Sequence, residues 1–239
     1  MTETGDVGGI ILAAGYGTRL APLSDHVPKP LLPLPGGTVL DRAIAALTAA
    51  GVGPLAVNTH HLGAMVAAHL RARADAERFV VLDEPEILGT GGALDNARDF
   101  LAPGPDFLLH NGDVVADADC AALLAAHRRS GALATLLLVD WPEVNTVALG
   151  DDGAVTALRG PAGSAGFGPT GGRLTYAGIG AFSRVLLEDI GPGFSSLIDP
   201  LERAIARRPG SVRGFAPAAV RWSDLGTLPR YLDAVADAG

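Results

Sequence analysis

Short apolar runs alternate with helix-patterned stretches through the first half of the chain, and this alternation narrows the possible folds more than any other feature. Gly9–Ala14 (GIILAA), Pro54–Asn58 (PLAVN), Phe79–Leu82, Asp106–His110 (DFLLH) and Ala134–Val139 (ATLLLV) are apolar almost throughout. Strands buried on both faces read this way, whereas half-exposed strands alternate apolar with polar residues. Helical spacing fills the intervals at Val39–Ala50, which stops at Gly51, and at His61–Ala74, Thr90–Phe100 and Cys120–Ser130. Strand and helix in strict succession predict a Rossmann-like α/β fold, a doubly wound and mostly parallel sheet.

Beyond Asp140 the pattern changes. Short β-like pieces at Thr146–Leu149, Ala154–Leu158 and Arg173–Phe182 flank a glycine-rich stretch, GPAGSAGFGPTGG, at 160–172. They predict a small inserted β-subregion, roughly 141–190, with the glycine-rich stretch as a mobile loop between its strands. A helix near Ser195–Arg208, a strand near Val212–Phe215 and a helix near Leu228–Ala238 complete the pattern. No internal repeat and no hexapeptide array is visible, so a single domain over 1–239 is expected.

Charge and cysteine content exclude several function classes. The formal net charge is −8 and no basic run stands out, which argues against a nucleic-acid-binding face. Cys120 is the single cysteine, so neither an intrachain disulfide nor a cysteine zinc site is expected. The N-terminus lacks the charged and apolar regions of a signal peptide, and no apolar stretch is long enough to span a bilayer. A cytoplasmic protein without membrane contact is the expectation.

The first strand runs into Gly15-Tyr16-Gly17-Thr18-Arg19, which is neither a GxGxxG dinucleotide fingerprint nor a Walker A loop. At the carboxyl end of a parallel strand, a Gly-x-Gly turn lets backbone N–H groups approach a phosphate, and Arg19 can add a bidentate contact. An ordinary tight turn beside a solvated arginine fits the same residues. Lys29 adds weight to the phosphate. It is the only lysine in a chain whose Lys and Arg together number 18, and Pro28 and Pro30 bracket it. A compact ammonium on a narrow stem suits a crowded polyphosphate pocket better than a planar guanidinium does. Asp113 closes Asn111-Gly112-Asp113 at the end of the fourth apolar run, facing the same crevice; Asp224 lies in Trp222-Ser223-Asp224-Leu225-Gly226-Thr227. Either aspartate alone is as well read as a turn or cap residue.

The stretch LAAGYGTRLAPLSDHVPKPLLPLPG resembles the signature of sugar-1-phosphate nucleotidylyltransferases, LAAGxGTRLxPLTxxxPKxLxPV. The resemblance implies an enzyme of the nucleotide-diphospho-sugar transferase type. Such an enzyme joins a nucleoside triphosphate to a sugar 1-phosphate and releases pyrophosphate. Leu12, Ala13, Ala14, Gly15, Gly17, Thr18, Arg19 and Gly112 would then bind nucleotide, with Arg19 and Lys29 on the triphosphate, and Asp113 and Asp224 would hold Mg2+. Glu84-Pro85-Glu86-Ile87-Leu88-Gly89-Thr90 is similar to the family's base-binding wall, with Glu84, Gly89 and Thr90 as candidates. A carboxylate there, Glu84 or Glu86, suits the paired N–H donors of guanine, although UTP and GTP both stay open. A glycine-rich helix start capped by Thr90 is the structural alternative. Asn58 and His60, in an N-x-HHL segment, and Gly178, in Tyr176-Ala177-Gly178-Ile179-Gly180, resemble sugar-pocket elements; Asn111 and, by position, Asn145 join them. Many relatives carry Glu-Lys-Pro after the fifth strand, where this chain has Leu158-Arg159-Gly160-Pro161, so Arg159 is the candidate to replace that lysine on the sugar phosphate. The same fold also serves transferases of choline phosphate and the molybdenum cofactor, and it serves non-catalytic nucleotide-sugar-binding subunits. A monomer or small homo-oligomer built on the core domain is expected.

Overall fold

A computed structural model describes residues 7–160 and 173–237. Most of the glycine-rich stretch at 160–172 lies outside the described residues. Thirteen strands are present among those described: β1 (Val7–Leu12), β2 (Pro33–Leu34), β3 (Gly37–Thr38), β4 (Leu55–Thr59), β5 (Phe79–Asp83), β6 (Asp106–Asn111), β7 (Val114–Ala116), β8 (Ala134–Val139), β9 (Val147–Leu149), β10 (Val155–Ala157), β11 (Arg173–Ser183), β12 (Val212–Phe215) and β13 (Trp222–Asp224). The helices are α1 (Val39–Ala49), α2 (Gly63–Arg71), α3 (Gly89–Asn96), α4 (Arg98–Leu101), α5 (Cys120–Ser130), α6 (Ile198–Arg207) and α7 (Leu228–Asp237).

The central sheet runs β5-β4-β1-β6-β11, with β8 and then β12 beyond it. Strands β5, β4, β1 and β6 are mutually parallel, β12 is parallel to β8, and β11 alone runs against its neighbours β6 and β8. The α/β architecture read from the sequence is therefore present. The inserted β-subregion is not a separate sheet. Its β9 is fastened to the first residues of β11, Arg173 and Leu174, and carries β10 on its other edge, while Gly180–Phe182 of β11 are wedged between β6 and β8.

Continuous apolar runs become strands here because both faces are covered. Ile11, Val57 and Leu108 pack with residues of α1, α2 and α5, whereas their chain neighbours Ile10, Ala56 and Leu109 pack toward α3, α4 and α6. Local chemistry sets the helix ends. Thr38 caps α1 through a reciprocal capping box with Asp41, and Asp119 accepts from Ala122 N–H to start α5. Two helices differ from the sequence pattern. The stretch 90–100 is split at Ala97 into α3 and α4, and α2 begins at Gly63, after a turn formed by His61 and Leu62. Among the described residues no helix is long and apolar enough to cross a membrane.

Candidate active site

The carboxyl ends of three adjacent strands lie in register. Leu12 of β1 stands opposite Asn58 of β4 on one side and Asn111 of β6 on the other. Side chains and loops that follow those positions therefore converge, as the crevice rule for open parallel sheets requires. They enclose a cavity of about 220 Å³ lined by Leu12, Ala13, Ala14, Gly15, Lys29, Asn58, Glu84, Gly89, Thr90, Asn111, Gly112 and Asp113, with Pro30 and Ile87 completing it. Pro30 was read from the sequence only as a brace for Lys29, and Ile87 was not given a role.

Two glycines allow close approaches of the chain around the site. Gly112 donates its N–H to the Leu12 carbonyl at 2.7 Å, and a Cβ at Gly112 would stand 2.7 Å from that oxygen, closer than any side chain tolerates. Gly17 is left-handed at φ 68°, and its missing Cβ would press on the Lys29 stem at 3.0 Å. The lysine chain thus runs directly beneath the glycine loop. Its head, only 10% exposed, donates to Asp113 Oδ2 at 3.2 Å.

The two candidate metal ligands are drawn together by a ladder that the sequence pattern does not announce. Strand β7, just after Asp113, pairs antiparallel with β13, so that Asp224 faces Val114 and Leu225 N–H donates to the Asp113 carbonyl at 2.9 Å. Each carboxylate has a cation of its own: Lys29 for Asp113, and Arg230 for Asp224. The guanidinium of Arg230, which the sequence reading missed, also lies over the Trp141 ring, 4.8 Å from its centroid. Its only signal was a cation in the first turn of the last helix. Arg19 lies across Gly226, where a Cβ would meet Nη2 at 2.8 Å, so it borders the loop that carries Asp224. Arg19 and Thr18 themselves are exposed, in a 3-10 turn over Thr18–Leu20.

Asn58 and Glu84 turn out to be tied to each other. Asn58 Oδ1 accepts from Ala13 N–H and its amide donates to Glu84 Oε1, both at 2.7 Å; the second oxygen of Glu84 accepts from Leu88 N–H at 3.0 Å. Both Glu84 oxygens are occupied within the protein and the residue is 2% exposed, which removes the structural support for guanine reading by that carboxylate. Thr90 does not cap α3, whose first residue is Gly89; its hydroxyl accepts from Leu197 N–H instead.

Four remaining candidates are placed differently from one another. Gly178 lies against the Asn111 side chain, where a Cβ would meet Nδ2 at 2.5 Å. His60 does not line the cavity; its ring joins Tyr16 to the Glu84 carbonyl. Asn145 is fully buried and spends its amide on Asp140, Trp141 N–H and the Thr175 hydroxyl, which fixes a turn rather than a ligand. Arg159 is held by Asp199 and Glu202 of α6, at 2.6 and 3.0 Å, away from the cavity, and the hydrogen bond to Asp199 keeps its pKa raised.

Burial governs the titrating groups nearby. His110, behind Asn111 on β6, is pushed down to about 4 by desolvation, so it is neutral and donates from Nδ1 to the Asn111 carbonyl. It supports the strand end and does no proton transfer at neutral pH.

A parallel-sheet crevice with a glycine loop, a buried lysine and two aspartates on adjoining chain segments has the donors and charges suited to phosphate groups. Residues 8–158 match the nucleotidyl transferase family, and the chain belongs to that family. It is 32% identical over 236 residues to an N-acetylmuramate alpha-1-phosphate uridylyltransferase of Neisseria meningitidis serogroup B, covering 96% of this chain and 97% of the relative. An N-acetylmuramate alpha-1-phosphate uridylyltransferase of Caulobacter vibrioides is 41% identical over 103 residues, and that alignment spans 41% of this chain and 43% of the relative. Among solved structures, HddC from Yersinia pseudotuberculosis complexed with GMP-PN superposes with a TM-score of 0.77 at 20% identity, covering 97% and 99% of the two chains, which establishes a common fold.

Proposed function

We propose that this protein transfers a nucleotidyl group from a nucleoside triphosphate to a sugar 1-phosphate, giving a nucleotide sugar and pyrophosphate. The observation that carries it is the cavity at the ends of β1, β4 and β6, with Lys29 pinned beneath the glycine loop and directed at Asp113. Backbone N–H groups of Ala14–Gly17 and the Lys29 ammonium would bind the triphosphate, and Arg19 would close on it from the Gly226 side. A sugar phosphate is already a nucleophile, so orientation and charge neutralisation supply the catalysis, without a covalent enzyme intermediate.

Asp113 and Asp224 fit a magnesium ion. They are hard oxygen donors on neighbouring chain segments, each facing a cation that a metal could replace. Among the described residues no group of three or more His, Cys, Asp or Glu gathers, so a metal would have two protein ligands and would leave room for phosphate oxygens and water. When bound, magnesium would neutralise phosphate charge as the bond to the leaving pyrophosphate weakens.

The base is assigned as uracil. The uridylyltransferase relative matches along nearly the whole chain, and Glu84 has no free oxygen to offer the paired donors of guanine. Asn111 and Gly178, which pack together at the cavity edge, are the proposed sugar-side contacts. The test is pyrophosphate release with magnesium over UTP, GTP, CTP, ATP and dTTP, crossed with N-acetylmuramic acid, mannose, glucose and heptose 1-phosphates. UTP with one of these sugars is the expected productive pair. A productive pair with GTP alone would overturn the base assignment, and a blank grid would overturn the transferase.

A further inference from the structure

Tyr16 is the middle residue of Gly15-Tyr16-Gly17, and it places a half-exposed aromatic ring on the tip of the glycine loop. Its hydroxyl lies 3.1 Å from His60 Nε2, and the two rings meet edge to face at a centroid distance of 5.3 Å. The other ring nitrogen of His60, Nδ1, is 2.7 Å from the Glu84 carbonyl oxygen. A carbonyl only accepts, so Nδ1 carries the hydrogen; in the neutral ring Nε2 is then an acceptor, and the Tyr16 hydroxyl must donate to it.

The adjacent histidine holds the same loop further along. His61 Nε2 donates to the Ser24 carbonyl at 2.8 Å, and its ring lies tilted against Tyr16 at 5.8 Å. Ser24 in turn packs against Gly17, where a Cβ would stand 3.1 Å from the Ser24 Cβ. At the root of the loop, Ala13 N–H is fixed by Asn58, which is tied to Glu84. Three residues at or just after the end of β4, Asn58, His60 and His61, therefore grip the loop at its root, its tip and its far side. Neither histidine lines the cavity.

We propose that His60 and His61, with Tyr16, are positioning residues that hold the phosphate-binding loop in its binding shape before nucleotide arrives. This rests on the reading above that the loop receives the triphosphate. A loop of glycines is costly to order, and ordering it during folding removes that cost from nucleotide binding. The tautomer of His60 is the device: with the hydrogen on Nδ1 the ring accepts from the loop and donates to the base-side segment, so it couples two walls of the cavity.

Tyr16→Phe removes one oxygen and keeps the ring. His60→Asn keeps a donor near the Nδ1 position for Glu84 and offers Tyr16 no acceptor. Each variant should raise the Kd and KM for the nucleoside triphosphate by about 3- to 10-fold, as loss of one partly exposed hydrogen bond would. The sugar-phosphate KM and kcat should move less than the nucleotide KM. The double variant should be no worse than the weaker single variant, since both delete the same bond. A nitrogen-15 spectrum of the histidine rings should show His60 in the Nδ1–H tautomer without any ligand. Additive losses, unchanged nucleotide affinity in both single variants, or an Nε2–H tautomer would each overturn the proposal. The spectrum needs no substrate, so a protein with no transferase turnover would sink the proposed function while the tautomer still judged this inference.

Discussion

Replacing Lys29 by arginine keeps the charge and tests the shape of the site. The lysine stem passes so close beneath Gly17 that a Cβ there would crowd it, and Pro28 and Pro30 fix the backbone on either side. Its ammonium reaches Asp113 at 3.2 Å from a position 10% exposed, while the aspartate is 38% exposed. At an effective dielectric constant of about 20, a pair at that separation attracts with about 5 kcal/mol before desolvation, and the solvent at Asp113 cuts the net value to about 1–2 kcal/mol. An arginine could keep most of this pairing, so the fold should survive. The planar guanidinium is bulkier than an ammonium, however, and should displace the charge, and a misplacement of about 1 Å typically costs about 10²-fold in rate. We expect kcat/KM for the productive pair to fall by about 10- to 100-fold, or about 1.4–2.7 kcal/mol of transition-state stabilisation. Continuous pyrophosphate release gives the rate, and thermal melting should show a shift of only a few degrees. An arginine variant within twofold of the original enzyme would refute the steric account of the single lysine.

Asp113→Asn and Asp224→Asn should each lower turnover by at least about 10²-fold with little change in melting temperature, because each removes a half-exposed carboxylate proposed to hold the metal. Chelation by EDTA should abolish turnover and magnesium should restore it; full activity in EDTA would remove the metal from the proposal. Acid should destabilise the fold through His110, whose folded pKa of about 4 lies below its unfolded value of 6.5. The unfolded chain therefore binds the extra proton first, and the stability present above that unfolded value is lost as pH falls toward the folded one. Between about pH 7 and about pH 5 the loss should be about 1–2 kcal/mol, measurable by urea unfolding, and a His110→Gln variant should lose correspondingly less over the same interval.

The sheet was legible because its evidence is local. Runs such as ATLLLV at Ala134–Val139 and DFLLH at Asp106–His110 can hardly be anything but doubly covered strands, and the helices between them carry their own stop signals, as Gly131 does after α5. Strand direction was less visible. Nothing within Arg173–Ser183 says that it runs antiparallel between β6 and β8, since an insertion of this kind is decided by which edges are free once the parallel strands have formed. The break at Ala97 was hidden because the residues on both sides of it, in ALDNARDFL, all keep helical spacing.

For the site, a residue could be read from the sequence where its role follows from its place at a strand end. Gly15, Asn58, Glu84, Asn111 and Asp113 meet in one cavity because parallel strands bring their carboxyl ends together automatically, and Lys29, which lies in a turn well beyond β1, was marked instead by its being the single lysine between two prolines. Residues whose surroundings depend on contacts between remote side chains could not be read in this way. Arg159 follows a strand and carries the right charge, yet Asp199 and Glu202, forty or more residues later, present the nearest carboxylates and hold it. Arg230 had no motif to mark it, and it pairs with Asp224 because α7 starts just after β13 and turns its first-turn side chain back toward that strand. Together, Lys29 and Arg230 balance the charge of both carboxylates. A chain of net charge −8 can thereby hold two aspartates on neighbouring chain segments, an arrangement that the proposed magnesium site would use.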